Sequence, residues 1–232
     1  MRIDLISLFP DMLDGFMASS ILARAQKQGF LEYHKHNLRQ WSENKHLKVD
    51  DRPFGGGAGM LLQPEPVVRA IRALRTEESC VIYPCPDGVP LTTEQVQILA
   101  QHTHLIFLSG HYEGLDQRVR DRYIDQEFSI GDYVLTNGTL AAAVMIDAIC
   151  RYIPGVLGNN VSLEQDSLSD GLLTFPQYTQ PREFEGITVP EVLVSGNHAE
   201  IDRWRYVQRL EKTRQRRPDL WAKYIQSHND GS

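Results

Sequence analysis

LIFLSGHYEGLDQRVRDRYIDQEFSIGDYVLTNGTLAAAVMIDAICRYIPGVLG, residues 105–158, is the stretch that decides the fold. It opens on four apolar residues, 105–108, that stop at Ser109-Gly110, as a buried strand closed by a glycine does. Residues 111–122 are polar and suit a short helix. A second strand is expected over 127–135, with Gly131 in its middle. Thr136-Asn137-Gly138-Thr139 is a turn and helix-start signal. Residues 140–153, rich in Ala, Met and Ile, form the next helix, which ends before Pro154-Gly155. The unit is strand, helix, strand, helix, with glycines where strands end. Open α/β sheets bind ligands at the carboxyl ends of their strands, where glycine lets a ligand approach the backbone closely.

The flanking chain repeats the alternation. Residues 3–9 read as a strand, 11–28 as an amphipathic helix stopped by Gly29, and 30–37 as a strand on which His34 and His36 share a face. Two histidines fall short of a metal set. Residues 66–74 suit a helix and 80–83 a strand, followed by the rigid turn Pro84-Cys85-Pro86-Asp87-Gly88. Thr92 and Thr93 cap a helix running to about residue 101. The class is therefore α/β, a parallel sheet with helices on both faces. Between strands lies DDRPFGGGAG, residues 50–59, with four glycines in five positions. It is neither a Walker loop nor a dinucleotide fingerprint, and reads as a mobile loop whose N–H groups can meet phosphate.

Past residue 158 the composition changes. Residues 159–170 are polar and read as a linker, and Pro176, Pro181 and Pro190 keep the next stretch irregular. A helix follows over 199–215, ended by Arg217-Pro218, and a shorter one over 219–226. The expected organisation is a domain over 1–159, a linker over 160–170 and a small helical domain over 171–232.

In 232 residues, 41% hydrophobic and 23% charged, the composition is that of an ordinary globular protein. No apolar run approaches the roughly 18 residues of a membrane span, and the first ten residues read as a strand rather than a signal peptide. Three cysteines without framework spacing fit a reducing cytoplasm. The net charge of −6 does not advertise a nucleic-acid binder, yet residues 201–223 carry eight Lys/Arg against three acids. Arg203, Arg205 and Arg209 there are candidate phosphate contacts, the bland alternative being a solvated helix face.

Six words of the sequence, in order, are DDRPFGGGAGML (50–61), GHYEG (110–114), FSIGDYVLT (128–136), IDAICRYIPGVLG (146–158), SLSDGLL (167–173) and SGNHAEIDRWR (195–205). Together they resemble the bacterial tRNA (guanine-N1)-methyltransferases of the trefoil-knotted methyltransferase superfamily. The resemblance spans nearly the whole chain. It implies a deep trefoil knot near the cofactor site, which no sequence pattern reveals. It also implies methyl transfer from S-adenosyl-L-methionine to N1 of guanosine-37, 3′ of the anticodon in tRNA. The implied cofactor residues are Tyr83, Pro86, Gly110, Glu113, Ile130 and Gly131, with Asp132, Tyr133, Val134, Leu135, Asn137 and Gly138. Asp166 matches the general base, and Arg151 the residue that stabilises charge on guanine O6. By themselves Asp166 reads as a solvated linker acid and Arg151 as an i,i+4 partner of Asp147. Mg2+ is implied as a helper, with Glu113 and Asp166 as participants. The resembling enzymes are homodimers whose composite site takes the cofactor from one subunit and the linker from the other.

The chain departs from the family pattern at several positions. Ala58 and Ala141 replace prolines, and Pro84 a leucine. Asn137 and Thr139 stand for Gly and Glu, Thr174 for an acid and Gln177 for a histidine. Competing readings are a knotted ribose 2′-O-methyltransferase, an RNA-binding protein without catalysis, and a nucleotide-dependent oxidoreductase. The missing G-x-G-x-x-G counts against the last.

Overall fold

The computed structural model describes residues 1–157 and 167–229. The chain divides into two compact units, Met1–Gly158 and Asn159–Ser232.

The strands of the first unit are β1 (Arg2–Ser7), β2 (Glu32–Asn37), β3 (Asp50–Asp51), β4 (Leu61–Leu62), β5 (Ser79–Pro90), β6 (His104–Leu108) and β7 (Gln126–Ser129). Its helices are α1 (Asp14–Met17), α2 (Ser20–Lys27), α3 (Pro64–Leu74), α4 (Thr93–Leu99), α5 (Gln117–Tyr123) and α6 (Thr139–Cys150). Five strands form one sheet in the order β2-β1-β6-β5-β7, every pairing parallel. Alternation along the strands divides the core. Ile3, Leu5, Cys80, Ile82, Leu105 and Phe107 face one side, with α2, α4 and α6 packed on them. Ile6, Val81, Tyr83, Ile106 and Leu108 face the other, under α3 and α5. Phe107 is fully buried at the centre, where truncation to Ala costs about 3–5 kcal/mol.

Three expectations are corrected here. The helix expected over 11–28 is broken into a 3-10 turn, Pro10–Leu13, then α1 and α2. The Ser19 hydroxyl donates to Gly15 O at 2.5 Å, a local bond that competes with helix continuation, and Ser20 takes φ 51°. The strand expected over 127–135 ends at Ser129. Gly131 has φ 146°, and the Ser129 hydroxyl accepts from its N–H at 3.2 Å, turning the chain out of the ladder. The helix expected over 111–122 starts only at Gln117, because Asp116 caps Arg118 N at 2.9 Å.

β3 and β4 pair antiparallel, Asp50 with Leu62 and Asp51 with Leu61. The glycine-rich stretch is therefore the tip of a hairpin. Gly55, Gly56, Gly57 and Gly59 all have positive φ, which only glycine adopts freely.

Within the second unit lie a two-stranded hairpin, β8 (Glu183–Phe184) and β9 (Ile187–Thr188), then α7 (Glu191–Val194), α8 (His198–Arg216) and α9 (Pro218–Asn229). The hairpin and α7 fall where irregular chain was expected. Pro218 opens α9 rather than only ending α8, since a first-turn proline gives up no helical hydrogen bond. Thr213, fully buried, receives Leu173 N at 2.9 Å and donates to Arg209 O at 2.7 Å. Among the described residues no helix is long and apolar enough to cross a membrane.

Candidate active site

A bulge within β5 and the loops that leave the carboxyl ends of β6 and β7 enclose a cavity of about 450 Å3 within the first unit, so the turn expected after residue 83 is a bulge and the strand resumes to Pro90. Each loop has a local cause. Pro84 and Val89 both pair with Phe128 of β7, so residues 85–88 bulge out of the ladder. After β6, Ser109-Gly110 turns the chain, and Tyr112 (φ 60°) and Gly114 (φ 124°) hold the 110–114 loop open. After β7 the turn at Gly131 begins a loop that closes at Thr139, the first residue of α6.

Thr139 anchors this assembly. It is fully buried, and its hydroxyl meets Ser7 Oγ at 3.0 Å and Ser109 Oγ at 2.8 Å. Those three hydroxyls tie the start of α6 to the ends of β1 and β6. Asn137 Oδ1 accepts from Thr139 N at 2.9 Å, a local cap of the same turn. The two departures at 137 and 139 thus form a self-consistent polar joint.

Of the twelve residues implied for the cofactor, eleven line this cavity: the 83–86 and 110–113 members and all of the 130–138 set except Asp132. Part of the remaining wall was not anticipated. It includes Cys85, Asp87, His111 and Arg120. Tyr83 is buried, and its ring lies where a β-carbon on Gly110 would come within 2.9 Å of it. Burial pushes the Tyr83 hydroxyl up to about 12, and the Cys85 thiol likewise to about 12 by burial and the nearby Asp87. Both are neutral at ordinary pH, so Cys85 is a packed thiol and not a nucleophile. The cavity thus combines apolar and aromatic surface with carbonyl and N–H groups on turning backbone, which suits an adenosine and its short polar tail. Gly138 makes the fit close. Its added β-carbon would stand 2.9 Å from Gly110 N.

Arg120, on α5, reaches into the wall. Its Nε donates to Glu127 Oε1 at 2.8 Å, and its terminal nitrogen to Glu127 Oε2 at 2.5 Å and to Asp87 Oδ2 at 2.8 Å. Its guanidinium also lies over the Tyr83 ring at 5.5 Å. No spacing rule joins residues 87, 120 and 127, so sequence offered no signal beyond a basic residue on a short helix.

The residues expected for metal, base and O6 are scattered. Glu113 is exposed beside the glycine-rich hairpin. Its N–H donates to Met60 O at 2.9 Å, and a β-carbon on Gly59 would meet its Cγ at 2.3 Å. Arg151 is the half-buried C-cap of α6. Asp166 lies outside the described residues. No three His, Cys, Asp or Glu side chains converge on a metal site among the described residues.

On α8, Arg203 is exposed. Arg205 pairs with Asp202 at 3.4 Å and lies over Phe175 at 4.9 Å. Arg209 pairs with Asp170 and donates to Leu173 O at 3.3 Å. Of the three expected RNA contacts, two are therefore engaged inside their own unit.

The family model described as tRNA (Guanine-1)-methyltransferase TrmD matches residues 1–223. A Staphylococcus carnosus protein named tRNA (guanine-N(1)-)-methyltransferase is 56% identical over 225 residues, covering 97% of this chain and 92% of that protein. Namesakes from Staphylococcus haemolyticus and Staphylococcus aureus (strain JH9) are 53% and 52% identical over 231 residues, covering 99% of this chain and 94% of each. With a match over almost its full length, and with a backbone-rich cavity at the carboxyl ends of its strands, this chain belongs to the TrmD family of tRNA (guanine-N1)-methyltransferases.

Proposed function

We propose that this protein transfers a methyl group from S-adenosylmethionine to N1 of guanosine-37 in tRNA. One observation carries the reading. The loops after β6 and β7, which carry the family's words GHYEG and FSIGDYVLT, converge with the 85–88 bulge on one cavity at the end of the sheet. Bound there, the cofactor supplies an electrophilic methyl group; the protein supplies position and proton management.

The protein's own part concerns the guanine. N1–H is a weak acid, and a carboxylate of ordinary pKa near 4 removes its proton only if charge forming on O6 is stabilised. Asp166 is the proposed base. Arg151, at the end of α6, is the proposed partner of O6, acting as a fixed cation. Mg2+ is proposed as an auxiliary near Glu113 and Asp166, and no step above depends on it.

The working form proposed is a homodimer with a composite site. An exposed apolar face supports it: Leu140 and Val144, one turn apart on α6, are 46% and 52% exposed, and Phe9, Met12 and Phe16 are exposed as well. Asn137 Nδ2 meets Met12 Sδ at 3.9 Å, so these elements adjoin. The wider proposal is a knotted domain over 1–159, a linker over 160–170 that carries Asp166, and a tRNA-binding domain over 171–232.

The test is methyl transfer from labelled S-adenosylmethionine to unmodified tRNAs with guanosine or adenosine at position 37. N1-methylguanosine, formed only with guanosine, is the expected product. A 2′-O-methyl nucleoside would favour the knotted ribose methyltransferases instead, and no transfer with tRNA still bound would favour an RNA-binding protein.

A further inference from the structure

We propose that Arg120 is the positioning residue that sets the cofactor cavity, by clamping the 85–88 bulge to β7. This rests on reading the cavity as the S-adenosylmethionine site. The bulge is a thin wall. Asp87 and Phe128 line the cofactor cavity on one side and a second cleft of about 440 Å3 on the other. A wall with open space behind it has no packed layer to fix its position.

Two devices hold it. Gly88 lets the bulge backbone press on β7, since a β-carbon there would stand 2.6 Å from Phe128 N. Arg120 supplies the side-chain clamp. Its planar fork grips both oxygens of Glu127 on β7 and reaches Asp87 in the bulge with the same terminal nitrogen. Lysine, a point charge, cannot reproduce that fork. The Arg120 side chain is 18% exposed, which strengthens these bonds relative to surface pairs.

The clamp also couples the loops. Arg120 stands on the helix that continues from the 110–115 loop, and Asp116 fixes the start of that helix. Its guanidinium lies over the Tyr83 ring, and that ring lies beside Gly110 and Gly114. Glu127 sits two residues before Ser129, whose hydroxyl holds the turn at Gly131. One side chain therefore registers all three cofactor loops against one another. Arg120 itself need not touch the methyl group or the guanine.

The experiment measures S-adenosylhomocysteine affinity by calorimetry, and KM values for cofactor and tRNA, in the full chain. Arg120→Gln is expected to weaken S-adenosylhomocysteine about tenfold, the equivalent of one charge-assisted hydrogen-bond set. The loss should appear in KM for cofactor rather than in kcat or in KM for tRNA. Arg120→Lys should recover part of it. Asp87→Asn, a change at an exposed residue that leaves Glu127 gripped, should shift affinity in the same direction by a few-fold. Combined with Arg120→Gln, it should add little, because both cut one clamp. If Arg120→Gln lowers the melting temperature but leaves cofactor affinity unchanged, the residue is merely structural and the proposal is overturned. If Arg120→Gln does not fold, unchanged affinity in Asp87→Asn overturns it equally. Failure of the wild-type chain to bind S-adenosylhomocysteine would instead overturn the reading of the cavity.

Discussion

Gly138 donates its amide to Gly110 O at 2.8 Å, and a β-carbon on Gly138 would stand 2.9 Å from the Gly110 nitrogen. Two loops that leave different strands therefore meet backbone to backbone, with no room for a methyl group. Gly138 has an ordinary φ of −77°, so its requirement is space and not conformation. Gly138→Ala is expected to push the 110 loop away from α6. Overpacking of this kind costs about 1–3 kcal/mol. The variant should melt earlier and bind S-adenosylhomocysteine weakly. Wild-type affinity in calorimetry would mean that the two loops can separate without disturbing the cavity.

A second relationship lies near the other ends of the strands. Asp4, on β1, is fully buried and bonds His36 Nε2 at 2.5 Å, Arg2 Nε at 2.7 Å and His104 Nε2 at 2.7 Å. These partners come from β2, β1 and β6. Burial alone would raise the carboxyl, but the bonds from His36, Arg2 and His104 outweigh it and hold Asp4 well below the usual carboxylate range. A carboxylate depressed in the folded state stabilises fully above its unfolded pKa of about 4 and loses that contribution as pH falls. Urea midpoints measured from pH 7 down to 3 should therefore fall in the wild type and fall less in Asp4→Asn. At pH 7 the variant should lose about 1.5–3 kcal/mol, because asparagine offers one acceptor oxygen to donors that had met the two of a carboxylate. Parallel pH curves for the two proteins would show that the network adds no linkage.

The RNA face can be separated from the arginines that hold the second unit together. Burial would raise Asp170, but bonds from Arg209 and from Leu172 N hold it below its ordinary value. Arg209→Ala should lower the stability of that unit, read as earlier melting or faster proteolysis. Arg203, Arg214 and Arg216 are exposed. Replacing all three with Ala should weaken tRNA binding and flatten the log–log salt slope by about 2–3, one counterion for each lost phosphate contact. Cofactor affinity should stay as it was. An unchanged slope would make this helix face merely solvated.

How far the sequence could be read follows from these contacts. Strands β1, β5 and β6 were legible because their side chains alternate between two buried faces, and the runs stop at polar or glycine residues. The 130–135 stretch misled for a physical reason. Ile130, Tyr133, Val134 and Leu135 line a cavity, and apolar residues facing a ligand look like apolar residues facing a core. The break at Ser19–Ser20 was hidden because a serine bonding back to Gly15 looks in sequence like any helical serine. Thr139 was legible as a turn residue but not as the joint of β1, β6 and α6, since Ser7 lies 132 positions away. The Arg120 clamp was invisible for the same reason: its partners come from two other strands.

The last prediction tests how the site is assembled. The proposed base, Asp166, belongs to the linker, whereas the cavity belongs wholly to the first unit. Gly131 has φ 146°, and a β-carbon there would come within 2.6 Å of the Tyr133 ring. Gly131→Val should therefore distort the 130–138 wall and lose cofactor binding while the sheet, whose strand β7 ends at Ser129, persists. Asp166→Asn should do the reverse, keeping S-adenosylhomocysteine affinity and losing turnover, because the carboxylate serves proton removal. If each site draws its cavity from one chain and its Asp166 from the other, a dimer of the two variants contains one site with both parts intact. Co-expressed chains with different tags, purified as heterodimers, should then regain up to about half of wild-type activity, one site of two. A site built within one chain predicts no recovery, since every chain carries a lesion. Inactive heterodimers, with both parents folded and dimeric, would refute the composite site while leaving the cavity and its cofactor in place.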